Sequence, residues 1–403
     1  MKPPPQYLAG ALLPTVVTVA LVMLTAMLGL LSLWELEQGL FAREQRLRQA
    51  RADVESAAVR YYRHPDDAAL TAPDGCRLYD SLPRSRVYVR REPWGLYELL
   101  HIAAADSLAA THRIAGLAPE SDRTLYYADD RAAVTLAGDT HLHGVLHLPQ
   151  RGLSYGRMGS DFYRGTPVPA GVVRPSGPML PQPAPEALRR IEKLFLRSGS
   201  REIPDSLTAS FRDTATLVLS LGTAEAGDCT LRGRILLVGD EVRIDSTCRW
   251  EHLLVAARKI TVGRGTRIAA QLFARDTLLV EPRAVLEYPS GLWSGCYAEL
   301  GDRATADGYV IVRDTALRKR MTASYRQART ARVRGLLYVE GVAQLRGIVA
   351  GRAIVRRAAC FTPQGYYKDM LYDFTLLENP ATALPLWENA DARRRRKEVV
   401  CVR

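Results

Sequence analysis

At 403 residues, with 47% hydrophobic and 24% charged side chains, the chain has the composition of a globular protein able to bury a large core. A formal net charge of +12 permits contact with anionic lipid or acidic glycans. Five of those charges sit together at 393–397 and no basic–aromatic motif accompanies them, which argues against a nucleic-acid partner.

No charged residue occurs between Lys2 and Glu35, and residues 12–34 are almost continuously apolar. About 20 such residues cross a bilayer core as a helix. Trp34 suits the interface, and Pro14 falls near the start, where a helix tolerates it best. The apolar run is too long for a typical cleaved signal peptide, so residues 1–34 read as leader and uncleaved anchor, with the lipid bilayer as partner through 12–34.

The helical pattern continues beyond the span. Leu33, Leu36, Leu40, Leu47, Ala50, Val54, Ala57 and Tyr61 recur at steps of three, four or seven, broken only by Arg43. Residues 35–64 therefore form an amphipathic stalk, suited equally to self-association, to envelope-assembly partners or to packing on its own body. The body is expected to fold without residues 1–62. Residues 65–131 read as a small α/β cap with a strand, a turn at Pro93–Gly95 and a second strand.

The dominant pattern is a repeat of six. Leu236/Val238, Val242/Ile244, Cys248/Trp250, Leu254/Ala256, Ile260/Val262, Thr266/Ile268, Leu272/Ala274, Leu278/Val280 and Ala284/Leu286 form consecutive pairs. Residues i and i+2 of a strand share a face, and a corner every six residues turns the next pair inward. Three such faces make an 18-residue coil, the hexapeptide type of parallel β-helix. The fold class expected is mainly β: a parallel β-helix with helical insertions, preceded by the transmembrane helix and stalk. Leu237, Val255 and Phe273 are also 18 apart and are expected to point outward, forming an apolar ladder that needs cover.

The segments TLAGDTHLHGVLH, AEAGDCTLRGRIL and YVEGVAQLRGIVA align Gly138, Leu142 and Gly144 with Gly227, Leu231 and Gly233 and with Gly341, Leu345 and Gly347. Glycines at fixed offsets suit corners of positive φ. The β-helix is thus expected to span 132–375, with insertions at 149–213 and 291–330 and a basic tail at 376–403. In the first insertion, Leu188, Ile191, Leu194 and Phe195 form one helical face, the candidate cover for the ladder. Tyr366, Tyr367, Tyr372 and Phe374 are candidates to cap the open end.

The six cysteines include no CxxC pair, which argues against a zinc site of the usual sort. Cys229 and Cys248 lie one residue more than a coil apart, so a bridge between them requires Cys229 to occupy a corner.

His141, His143 and His147 share one strand parity and are the candidate metal ligands, although no carboxylate or cysteine is spaced to complete a site. His252, alone among the hexads, has the place of a general base in a hexapeptide acyltransferase. Asp228, Asp240 and Asp245 are the carboxylates a polysaccharide lyase would need, and more simply read as corner residues. No P-loop, dinucleotide fingerprint or Ser-His-Asp arrangement is recognisable, and no catalytic residue or cofactor is assigned.

The AGALL of 9–13, the apolar run after it and Glu35 resemble the N-terminus of minor pilins and pseudopilins. With LYYADD, LAGDTHLHGVLHLPQRG, LRGIVAGRAIVRR and LYDFTLLENP, most of the chain resembles a family of membrane-anchored bacterial β-helix proteins; a weaker resemblance, to the bactofilin type of triangular β-helix, rests on the coil pattern. These resemblances bring no catalytic residue, and with none converging in a well-patterned solenoid the expectation is a non-enzymatic structural or assembly component, pseudopilin-like, single-pass in the bacterial inner membrane, with its body periplasmic or extracellular. The alternatives are a glycan-binding or glycan-processing β-helix and a cytoplasmic scaffold of the bactofilin sort. Arg43, Arg46, Arg48 and Arg51 beyond the span favour a cytoplasmic body by the positive-inside rule, whereas long domains translocate largely regardless of charge.

Overall fold

The computed structural model describes residues 12–79, 85–105, 107–120, 122–196, 203–213, 215–314, 321–379, 381–389 and 394–402. The fold is mainly β, with 49% of the chain in strands, behind one long N-terminal apolar helix, α1 (Leu12–Arg63). Gly10 and Arg393 lie outside the described residues.

A parallel sheet that closes on itself forms the centre of the molecule. Val242 lies beside Ile260, which lies beside Leu278, and Ile244 beside Val262 and Val280. Seven of the nine hexad pairs point into this closed interior, from Val242/Ile244 to Ala284/Leu286, all essentially without solvent exposure. Two pairs do not. Leu236 and Leu254, with Ala256, face outward, while Leu237 and Val255 point in.

Both exceptions lie on the same face, for a physical reason. This face is apolar on both sides, so alternation cannot fix its phase, and a one-residue slip inverts it. The slip is made at His252, which sits in a β-bulge at φ 62: Glu251 pairs with Ala269, yet Leu253 pairs with Ala270. Consequently Leu254 meets Gln271, and the outward row runs Ala256, Phe273, Trp293, Ile311, Tyr338, Ile354. Of the expected ladder only Phe273 points outward.

Residues 291–330 are not an insertion. Strands Val285–Ser294, Tyr297–Leu300, Thr305–Val312 and Tyr325–Gln327 carry the parallel stack through them. Within 149–213, strand Val173–Pro175 extends one end of the stack beside Leu146–Leu148, and Ser206–Ala209 joins the other beside Thr230–Gly233. The earliest strand of the stack, Leu125–Tyr127, pairs with Ala353–Val355, and Phe374–Leu377 pairs with the same strand, Gly347–Thr362, so segments from both ends of the chain meet there. The aligned corner glycines Gly144, Gly233 and Gly347 all have positive φ (87, 92 and 72), which explains their common offset. At the expected cap, Phe374 is buried inside the stack, whereas Tyr366 and Tyr367 lie exposed on an antiparallel hairpin.

The region expected as an α/β cap is a five-stranded antiparallel sheet. Arg86–Trp94, Tyr97–Ala104 and Ala110–Leu117 form a meander, edged by Cys76–Arg77. The last strand, Arg396–Val402, comes from the segment expected as a basic tail and pairs with Ala110–Leu117. The end of α1 packs on this sheet: Ala50, Val54, Ala57, Ala58 and Tyr61 are buried with Val87, Leu100 and Ile102. Residues 50–61 therefore contribute to the body's core, so removing residues 1–62 would take part of that apolar cluster away.

The interior register gives a direct test. Val262→Asp places an unpaired charge in the closed core and should destabilise the protein by roughly 3–5 kcal/mol, whereas Thr261→Asp next to it should change stability by less than about 0.5 kcal/mol. Thermal melts of the detergent-solubilised full chain measure both; equal melting temperatures for the two variants would contradict the register.

Candidate functional site

The histidines expected as metal ligands are not drawn together. His141 bonds Asp139 at 2.9 Å, His143 is exposed, and His147 stacks on Tyr126 with ring centroids 6.0 Å apart. Among the described residues no cluster of three or more His, Cys, Asp or Glu side chains is disposed to hold a metal ion. His252 is largely buried at its bulge, and burial holds its imidazole below the ordinary pKa. Asp240 pairs with Arg258 (2.9 Å), Asp228 takes a corner at φ 49, and Asp245 caps Ser246, so the three carboxylates serve local structure.

The polar residues that converge do so where α1, the antiparallel sheet and the parallel stack meet. At the helix joint, Tyr61 donates to Glu98 (2.8 Å), which also receives Arg396 (3.3 Å). Arg113 binds Glu398 (2.7 Å) and Glu55 of the helix, and Tyr62 donates to Glu398 (3.1 Å). Burial opposes the charge of Arg113, but Glu398, Tyr62 and Glu55 outweigh it and hold the guanidinium above its usual pKa. Burial, reinforced by Glu98, also raises the Tyr61 phenol. Helix and C-terminal strand are thus held by charge-assisted bonds, with Arg113, Glu98 and Arg396 nearly buried and Glu55 and Glu398 open to water.

At the joint between sheet and stack, the Trp94–Tyr97 turn enters the outward apolar row. Gln271, buried in the stack, accepts from Leu96 N–H (2.9 Å) and the Tyr309 hydroxyl (2.9 Å), and its Nε2 donates to the Trp94 carbonyl (3.0 Å). Gly95, at φ 59, leaves room for that carboxamide; a Cβ there would stand 2.2 Å from Gln271 Oε1. Nearby Arg234 of the stack binds Glu92 of the sheet at 2.6 Å, both largely buried.

α2 (Pro185–Phe195) closes this region. Ala187 and Ile191 are buried in the outer apolar cluster, Leu194 adjoins Leu236 and Leu254, and the Phe195 ring lies 6.1 Å from Trp293. The expected cover is therefore present, over a row whose members are shifted by one residue. Beside the helix N-terminus a cleft of about 440 Å³ is lined by Arg91, Arg190 and Arg396 together with Glu92, Glu98, Glu186 and Glu388, charges of both signs.

The sequence reading missed Glu98, Arg113, Gln271 and Glu398. The available signal was a lone polar side chain inside an apolar strand, as in YELLHIAA and RIAAQLFA. No protein-family model, curated protein or solved structure matches the chain.

Gly95→Ala should lower stability by about 1–3 kcal/mol, since it strains a positive φ and displaces Gln271 from three buried partners. A denaturant titration in which the midpoint does not move would contradict this clamp. The same joint predicts pH dependence. Burial, with a smaller contribution from His112, lowers His101 to about 4 from its ordinary 6.5, and burial also lowers His112. A depressed folded-state value means these rings stabilise the neutral form. Their contribution is complete above about pH 6.5 and declines as pH falls toward 4. Melting temperature followed across that window should fall, with a smaller slope in His101→Phe; equal slopes would contradict it.

Proposed function

We propose that the chain is a single-pass membrane-anchored, non-enzymatic structural or assembly protein that displays a parallel β-helix outside the cytoplasm, in the manner of a pseudopilin. The observation that carries this reading is the continuity of α1. Its first part exposes an uncharged, mainly apolar surface, with Leu13, Leu24 and Leu30 more than half accessible and a peak mean hydropathy of 2.5, long and apolar enough to cross a membrane. Without a break, the same helix ends inside the body's core at Ala57 and Tyr61.

The β-helix reading is supported by the 18-residue offset between Leu236 and Leu254, and between Ile260 and Leu278, in parallel register, with corners between the strands. Between span and body, residues 35–49 form a free helical stalk; at about 1.5 Å per residue it stands the body some 20 Å from the bilayer. Leu36, Leu40 and Phe41 are exposed there and suit self-association or an envelope partner.

Exposed Arg43, Arg46, Arg48 and Arg51 on the stalk support the second reading, a membrane-tethered cytoplasmic scaffold. Reporter fusions after Arg63 separate the two. The proposal expects activity of a reporter that works only outside the cytoplasm, in membranes that retain the protein through alkaline carbonate extraction. Activity of a cytoplasm-only reporter would support the scaffold, and release by carbonate would overturn the anchor.

A further inference from the structure

We propose that Cys229 and Cys248 are a disulfide-forming pair that staples two successive turns of the parallel stack. Their sulfurs are in contact at 3.6 Å, and both side chains are buried in the stack interior. The corner between strands makes this possible. Asp228 adopts φ 49 and its N–H is bonded to Thr247 Oγ1 of the next turn (2.9 Å). That corner absorbs the extra residue, and the two cysteines arrive side by side.

Thr230 pairs with Arg249 immediately after them, and Arg249 N–H donates to the Cys229 carbonyl (2.9 Å). The two Cα atoms are therefore about one strand spacing apart, ~4.8 Å, inside the range of about 4.4–6.8 Å that a disulfide spans. Closing the bond requires rotation of side chains and no rearrangement of the sheet.

The surroundings also fit thiol chemistry. Trp250 Nε1–H donates to Cys229 Sγ at 3.2 Å, and Cys248 Sγ lies 3.0 Å from the Ala226 carbonyl. The hydrogen bond from Cys248, against the effect of burial and aided by Trp250, pulls the Cys229 thiol down to about 6, while the same bond raises Cys248. With Trp250 donating to Cys229 Sγ and the Ala226 carbonyl placed to accept from Cys248, Cys229 is the better placed attacking sulfur. Both sulfurs face the closed interior, so an oxidant reaches them only when the chain opens or before it has folded.

The oxidant is a disulfide. Cys229 thiolate attacks one of its sulfurs, forming a mixed disulfide and expelling one thiolate. Cys248 then attacks the Cys229 sulfur as its proton passes to the second departing thiolate. Two protein thiols and one external disulfide become one protein disulfide and two external thiols. The product closes a short loop that includes Asp240 and Asp245, and constrains the unfolded chain.

The test uses the full chain in detergent, with Cys76, Cys296, Cys360 and Cys401 replaced by Ser, equilibrated in glutathione buffers of graded oxidation. One arm stays folded. The other passes through guanidinium unfolding and refolding, so that burial alone cannot keep the oxidant out. After maleimide quenching, peptide mapping should find 229 linked to 248, with a mass lower by two hydrogens. The link should be lost in Cys229→Ser and in Cys248→Ser, and the oxidised protein should melt higher than the reduced one. Free thiols or glutathione adducts without a bridge in both arms, at the most oxidising ratio, would overturn the proposal.

Discussion

A parallel sheet with apolar side chains on both faces has to be covered twice, and this molecule is arranged around the second cover. The interior of the closed stack is filled by its own pairs, such as Ile260 and Val262. Outside it, Leu236, Leu254, Phe273, Trp293, Ile311 and Tyr338 form an apolar surface that would be a docking or aggregation site if bare. The Trp94–Tyr97 turn, α2, and the segment bearing Leu384 and Trp387 cover it together. Trp387 stacks edge-on against Tyr338 at 5.4 Å, and Leu384 exchanges backbone bonds with Leu117 of the antiparallel sheet at 2.7 and 2.8 Å.

This cover is what connects α1 to the stack. α1 packs on the antiparallel sheet through its apolar seam, and the sheet reaches the stack through the outer apolar cluster and two buried polar links, Gln271 and the Glu92–Arg234 pair. The polar links add little net energy beside the apolar area, but each is costly to leave half-made, so they fix orientation. Chain order reinforces the connection. The final strand, Arg396–Val402, returns to the sheet next to the helix and supplies Glu398 and Arg396 to its joint.

Much of the closed parallel sheet was legible because a repeat of six leaves a record along the sequence. Where one side of a strand is polar, as at Arg243 between Val242 and Ile244, inside and outside follow at once. The pairs Leu236/Val238 and Leu254/Ala256 were inverted because Leu-Leu-Val and Leu-Leu-Val-Ala offer two equal phases, and the deciding bulge at His252 carries no glycine to announce it. Residues 291–330 looked like an insertion because the hexad is broken there, yet register resumes at Thr305–Val312 beside Arg332–Gln344. The basic run at 393–397 concealed a strand: the alternation that marks it starts only at its end. The joint between helix and sheet was illegible for a different reason. Glu55, Arg113 and Glu398 are hundreds of residues apart in part, and nothing local marks them as neighbours. The helix at 185–195 was readable as an amphipathic cover, and its target was misassigned only by the inverted phase.

The end of α1 is buried in the body's core, and the helical residues before it project from that core. Hydrogen–deuterium exchange of the full chain in lipid nanodiscs measures this directly. Amides of residues 50–61 should exchange as slowly as those of Tyr97–Ala104, with residues 36–47 much faster. Equal, fast exchange throughout 36–61 would contradict the account, because the helix would then be tethered to the body without being built into it.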